Sequence, residues 1–265
     1  MNWEKMTAPD FAAAVSVSKG VCLLPFGIVE KHGDHLPLGQ DLLYIHAVCT
    51  LAAEMEPAVV FPYYYFGQIA EARHVPGAIA IRPDLQLSLL ENICDEISRN
   101  GFSKILIVNG HGGNSHFLEY YCQIFLDKPK PYMIFLSDHP GLKEWAEKKE
   151  AKVDGHGGEA ETCAMLHLHP ELVKLDAFAD YGLPMRRLEK YANLRLYTGI
   201  WWYADFPGHF AGERVSLTEE KGKAFTEEHV KNLVEQVRLL KSDDTPMELY
   251  KEFLGRVQKP ENRYP

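Results

Sequence analysis

The feature that most limits the fold is the run Lys104-Ile105-Leu106-Ile107-Val108, apolar without alternation after its first residue. A short continuous apolar run reads as a strand buried on both faces, the kind found in parallel sheets covered by helices. Parallel strands need long crossovers between them, usually helices, and the flanking sequence supplies these. Asp84 to Asn100 carries Leu87, Leu90, Ile93, Cys94 and Ile97 at helical spacing and stops at Gly101. Ser115 to Phe125 reads as the following helix, and Tyr132 to Leu136 as the next strand.

The same alternation precedes and follows this unit. Val21 to Phe26 is a buried strand ending at Gly27, and Ala58 to Phe61 a second one. Between them, Asp41 to Met55 predicts a helix with Leu42, Ile45, Val48, Cys49 and Ala52 on one face and Asp41 as its cap. Helices are expected over Leu142–Lys149, Glu159–Leu168 and Leu217–Leu240, with a last turn or two near Met247–Phe253 packed on the long one. Residues 176–215 are rich in aromatics and turn formers and show no period. The expected fold is α/β, a three-layer sandwich with a mainly parallel central sheet flanked by helices. With no repeat or linker, residues 1–265 are expected to form one domain.

Composition narrows the function. The 46% hydrophobic and 25% charged residues are ordinary for a globular chain, and the formal charge of −9, with no basic block, argues against nucleic acid as a partner. The five cysteines are odd in number and form no C-x-x-C pair, which fits a reducing compartment. No signal peptide is evident, and no apolar run approaches the ~20 residues of a membrane span, so the expected location is the cytoplasm without membrane contact.

Open α/β sheets bind ligands beyond the carboxyl ends of their strands. The residues that follow the strands are not arbitrary. Glu30-Lys31-His32-Gly33-Asp34-His35 and then Asp41 follow the first strand. His111, among Gly110, Gly112 and Gly113, follows the strand at 104–108, and Asp154-Gly155-His156-Gly157-Gly158-Glu159-Ala160-Glu161 comes later. Glu30 and His32 project from one face of extended backbone. Imidazole with carboxylate suits zinc, manganese or iron. Glu30, Asp41 and Glu161 bring three negative charges against the four positive ones of two divalent ions, an excess that favours a bridging hydroxide. Glu30, His32, Asp41 and His111 taken singly are better read as structural, and Glu159 as a carboxylate in a helix first turn, whereas Glu161, one turn in on a short apolar helix, is harder to dismiss. Together, after strands and among glycines, they favour a site. His46, His116, His139, His167, His169, His209 and His229 stand apart and are read as structural. Cys163, in an apolar helical run, is a poor nucleophile candidate.

Three segments resemble, in order and spacing, the signatures of the creatininase (creatinine amidohydrolase) family. They are Pro25-x-Gly27-x-x-Glu30-x-His32-Gly33-x-His35-Leu36-Pro37 followed by Asp41, Asn109-Gly110-His111-Gly112-Gly113-Asn114, and His156-Gly157-Gly158-Glu159-x-Glu161-Thr162. His74-x-Pro76-Gly77 is similar to a shorter fourth. The match covers residues 21–163, with little recognisable beyond.

The resemblance implies a dinuclear metal centre and a homo-oligomer, often a hexamer. It implies that Glu30, His32, Asp41 and His111 are ligands, with Asp41 bridging. In members with glycine at the Gly113 position the remaining ligand comes from the third motif, here Glu161. His156 would protonate the leaving nitrogen, and Glu159 would support it or touch substrate. His35, His74, Gly112 and Gly113 would face the substrate. Creatinine-hydrolysing members carry an aromatic residue and a carboxylate where this chain has Gly112 and Gly113. They also have a tryptophan near Ala151–Asp154, so creatinine is not the expected substrate.

The expected reaction is hydrolysis of an amide, cyclic amide or formamide C–N bond in a small molecule or short peptide by a metal-activated hydroxide, with two divalent ions per subunit. The rivals are a non-catalytic metal- or metabolite-binding protein on this scaffold and a glycine-loop phosphate binder without metal. The aromatic segment 197–206 reads equally as a lid or as an oligomer interface.

Overall fold

Each apolar run becomes a strand whose alternate side chains enter two separate cores. In this computed structural model, which describes residues 1–138, 142–180 and 182–260, α1 (Ala8–Val17) leads into β1 (Val21–Phe26), α2 (Gln40–Met55) and β2 (Val59–Val60). Then come α3 (Pro83–Arg99), β3 (Lys104–Asn109), α4 (Ser115–Ile124) and β4 (Met133–Ser137). The strands form a parallel sheet in the order β2-β1-β3-β4, with Phe26 level with Asn109. The remaining helices are α5 (Lys143–Lys148), α6 (Glu159–Leu168), α7 (Glu189–Ala192), α8 (Trp201–Asp205), α9 (Glu219–Ser242) and α10 (Thr245–Gln258).

Val21, Leu23, Leu106 and Val108 point to one face, where they meet Ile45, Val48 and Cys49 of α2 and Val230, Leu233 and Val237 of α9. Cys22, Leu24, Phe26, Ile105 and Ile107 point to the other, against Leu90, Cys94 and Ile97 of α3 and Leu118 of α4. Helices thus cover both faces, as an unalternating strand requires. The layer on the first face is tight: a Cβ at Gly222 of α9 would overlap the Cys163 carbonyl of α6. That contact fixes the height of α6, and with it Glu161, above the sheet.

The short α7 and α8 form within residues 176–215, where the sequence shows no period, and two longer helices also exceed the sequence reading. The first, α1, starts at Thr7, whose hydroxyl accepts from the Asp10 amide, and has Pro9 in its first turn. Its apolar stripe is too weak to announce it. The second, α10, is a full helix rather than a turn or two, and its Tyr250 packs at 5.3 Å from Phe125 on the α3–α4 side of the sheet, not on the α9 side. No helix among the described residues is long and apolar enough to cross a membrane.

Candidate metal centre

β1 and β3 are neighbours, so the chain leaves both at one point above the sheet. The loop after β1 carries Glu30 and His32, and His111 lies two residues beyond β3. Asp41 does not cap α2. The helix starts at Gln40 after Gly39, which places Asp41 in the first turn with its carboxylate turned down toward the strand ends. There Oδ1 is 3.0 Å from His32 Nε2 and Oδ2 is 3.1 Å from His111 Nδ1. Glu30 Oε1 is 2.8 Å from His111 Nδ1, 3.7 Å from His156 Nδ1 and 3.9 Å from His32 Nε2. Glu161, in the first turn of α6, brings Oε2 to 3.8 Å from His32 Nε2.

These atoms form two overlapping clusters. Glu30, Asp41 and His111 offer ligand atoms within 4.8 Å of one another, and so do His32, Asp41 and Glu161. Asp41 belongs to both. A third grouping joins Glu30, His32 and His156. Glu30, His32 and Asp41 are essentially inaccessible to solvent. Glu30 Oε1 and Asp41 Oδ2 are buried with no aligned hydrogen-bond donor, although imidazole nitrogens lie close by. Buried carboxylate oxygens without donors are costly. Convergent oxygens and nitrogens of this kind fit divalent cations.

The electrostatics agree. Burial pushes the Glu30 carboxyl up, but the His111 charge and the hydrogen bonds from His111 and His209 outweigh it and hold it well below its usual range. Burial likewise opposes Asp41 ionisation, and His32 and His111 reverse the balance. Burial disfavours a charged His32, yet the carboxylates, Asp41 foremost, raise it to about 10, and Glu30 and Asp41 raise His111 well above normal against the same penalty. Glu161 is half-buried, and desolvation raises its carboxyl to about 7 against the opposing pull of His32. With protein groups alone, imidazolium charge balances the carboxylates. Divalent ions would supply that charge and free both rings to act as ligands.

Around the cluster, further groups fix the rings. His156 stacks on His32 with centroids 4.1 Å apart and donates from Nε2 to the Lys31 carbonyl. Burial, then the His32 charge, lowers it to about 3, so the ring is neutral with Nδ1 unprotonated and turned toward Glu30. Asn109 holds the β3 turn: its Oδ1 accepts from the His111 amide and its Nδ2 donates to the His111 carbonyl.

His209, read as structural from sequence, belongs to the site. Its Nε2 donates to Glu30 Oε2, and Trp202 Nε1 donates to its Nδ1 at 3.1 Å, which sets the tautomer. It is buried, with φ at +56°, unusual for a non-glycine residue. Only the turn formers Pro207 and Gly208 hinted at it. Glu71, not singled out from sequence, also reaches the cavity.

Several expected residues lie elsewhere. Glu159 does not approach His156 or the cavity. It is fully buried, with Oε2 accepting from the Glu150 and Ala151 amides and Oε1 from Lys221, because it sits on the side of α6 facing that loop and α9. His35 is buried behind the cluster, bonded to Thr162 Oγ1 at 2.9 Å and packed on Phe178 and Phe210, so it does not line the cavity. His74 bonds the Glu71 and Pro207 carbonyls and lines an adjoining hollow instead. Gly112 and Gly113 do line the cavity. His46 stacks on Tyr63 and His229 bonds Tyr44, while His167 and His169 face single glutamates. His116 reaches the cavity rim, and His139 lies outside the described residues.

The cavity measures about 660 Å³. Glu30, His111, His156 and Glu161 form its floor, and Tyr197, Trp201, Trp202 and Phe206 form an aromatic wall. Among the described residues no Lys or Arg lines it. A lining that includes Glu30, Glu71, Asp154 and Glu161 disfavours a phosphate, which weighs against the glycine-loop anion reading.

Residues 4–237 match the family model described as creatinine amidohydrolase. The chain belongs to the creatininase family. The match runs well past residue 163, where the recognisable motifs stop, and takes in His209. Among curated relatives, the creatinine amidohydrolase of Pseudomonas putida is 28% identical over 67% of this chain and 75% of its own length. The mycofactocin precursor peptide peptidase of Mycolicibacterium smegmatis is 30% identical over 58% of this chain and 60% of its own length. A mutant creatininase of Zn–Zn type superposes with a TM-score of 0.75 at 22% identity, covering 91% of this chain and 98% of that one, which establishes the shared fold.

Proposed function

We propose that this creatininase-family protein is an amidohydrolase that holds two divalent cations, zinc, manganese or iron, and cleaves an amide, cyclic amide or formamide C–N bond of a small molecule. One observation carries the reading: the two oxygens of the buried Asp41 carboxylate face two different imidazoles, and each pair is joined by a further carboxylate, Glu30 on one side and Glu161 on the other. Two bound divalent ions would supply Lewis acidity and water of lowered pKa at such a site.

The residues have separate roles in this scheme. Glu30, Asp41 and His111 would hold one ion, and His32, Asp41 and Glu161 the other. His209 orients Glu30, and Trp202 fixes the His209 tautomer. His156 spends its Nε2 proton on the Lys31 carbonyl, so Nδ1 is free to take a proton on the cavity side and deliver it to the departing nitrogen. The aromatic wall excludes water from the floor. The names of the two relatives, an amidohydrolase and a peptidase, both describe C–N hydrolysis. Gly112 and Gly113 leave the floor without the side chains expected of a creatinine site. The same reading takes the chain as one domain of a homo-oligomer, to which the exposed Leu194, Leu196 and Ile200 beside the aromatic wall would contribute an interface.

The test is metal content per chain, measured by plasma mass spectrometry on gently purified protein beside an Asp41→Ala variant. Near two ions per chain, lost in the variant, supports the proposal and names the metal for an amide screen. No bound metal after zinc or manganese is added back sinks it.

A further inference from the structure

Glu71 reaches the cavity from the short 3-10 turn Ala70–Ala72 and takes no part in the scheme above. It is not among the three clusters able to hold a cation. A Cβ built on Gly113 would overlap His111 Nε2 and lie 3.0 Å from Glu71 Oε1, so these two groups flank one small space that glycine keeps open. The Glu71 carboxylate is set by one hydrogen bond, from Gln68 Nε2 to Oε2 at 2.9 Å. Gln68 is itself fixed, its Oε1 accepting from the Ala70 backbone amide at 2.7 Å and its backbone N–H donating to Asn114 Oδ1 at 2.8 Å. Oε1 is left facing the cavity. Among the described residues no Lys, Arg or His nitrogen pairs with this carboxylate; Arg73 and His74 lie in the adjoining hollow and His116 at the cavity rim.

A held carboxylate with an open oxygen and no cation of its own is an acceptor waiting for a charged donor. Tyr197 and Trp201 line the cavity and the adjoining hollow, both of which Glu71 also lines. Aromatic faces beside a carboxylate favour a cationic nitrogen. We propose that Glu71 is a specificity-determining residue that binds an ammonium or guanidinium group of the substrate, so that the enzyme selects amides carrying a cationic nitrogen. This rests on the amidohydrolase reading for the word substrate, but the recognition itself does not depend on turnover.

The experiment is calorimetric titration, at pH 7 and in protein equilibrated with Mn²⁺, of benzylammonium chloride and its neutral isostere benzyl alcohol into wild type and Glu71→Gln. Metal content is measured on the same samples. The expected result is at least tenfold tighter binding of benzylammonium by wild type, falling to within threefold in Glu71→Gln with metal content unchanged. Equal binding of the two probes by wild type overturns the inference, as does a preference that survives in Glu71→Gln. Metal loss in Glu71→Gln also overturns it, by making the residue a ligand for the ion. A protein that binds no metal but shows the Glu71-dependent preference refutes the hydrolase reading and leaves this one standing. Bound metal and amide hydrolysis without the preference do the reverse.

Discussion

The floor and the wall of the cavity are built in opposite ways. The floor comes from the loops beyond the carboxyl ends of β1 and β3, from the turn before α6 and from the first turns of α2 and α6, so its residues lie at the ends of regular elements. The wall comes from residues 197–211, a stretch of turns, the short α8 and a left-handed His209. The two meet where His209 donates to Glu30, where Trp202 and His209 pack edge-on against the His156 ring, and where the Ala211 amide donates to the His156 carbonyl. The comparison teaches that a centre held at the ends of regular elements still takes its final orientation from the irregular segment above it.

The largest effect that would sharpen this contrast lies in the floor. Asp41→Asn should lower amide turnover by about a thousandfold, a few kcal/mol of metal-centred stabilisation, and strip at least one ion per chain. Full metal occupancy with normal turnover in that variant would remove Asp41 from the centre.

Next is the floor's spacing. Gly113→Ala should weaken metal binding by roughly ten- to a hundredfold, because the new methyl group displaces the His111 ring. Competition with a chromogenic chelator reads this directly, and an unchanged affinity would show that His111 moves freely.

The link between floor and wall comes third. His209→Ala should cost about tenfold in metal affinity, and Trp202→Phe a smaller factor, since it removes only the donor that fixes the tautomer. If both variants bind metal like wild type, the wall is mere cover and the comparison breaks.

The smallest effect on metal belongs to Glu159→Gln, with none expected. Its cost should appear as about 1–3 kcal/mol of stability in denaturant titration, because Lys221 and two loop amides lose a charged acceptor. A drop in metal content there would restore Glu159 to the site.

Reading from sequence went furthest where local rules act alone. Unalternating strands and amphipathic helices are set by residue neighbours, so the parallel sheet and its covering helices were legible from runs such as Ile105–Val108 and Leu87–Ile97. Glu30, His32, Asp41, His111, His156 and Glu161 were legible because they follow strands among glycines. Glu159 and His35 were misplaced for a definite reason. Spacing puts Glu159 and Glu161 in one helix turn, but only the packing of α6 on α9 decides which carboxylate faces the cavity and which meets Lys221. His35 shares its loop with His32, yet Phe178 and Phe210 close over its ring from residues far along the chain.

The sequence by itself thus determined the layers, the strand ends where ligands collect and the donor types gathered there, since each depends on residues within a few positions of one another. Tertiary structure alone decided that His209 grips Glu30 across the cavity, that Trp202 sets its tautomer, and that Glu71 faces the space beside Gly113. Those contacts join segments with no shared period. Their partners are chosen by how the irregular region packs over the sheet, which no local pattern encodes.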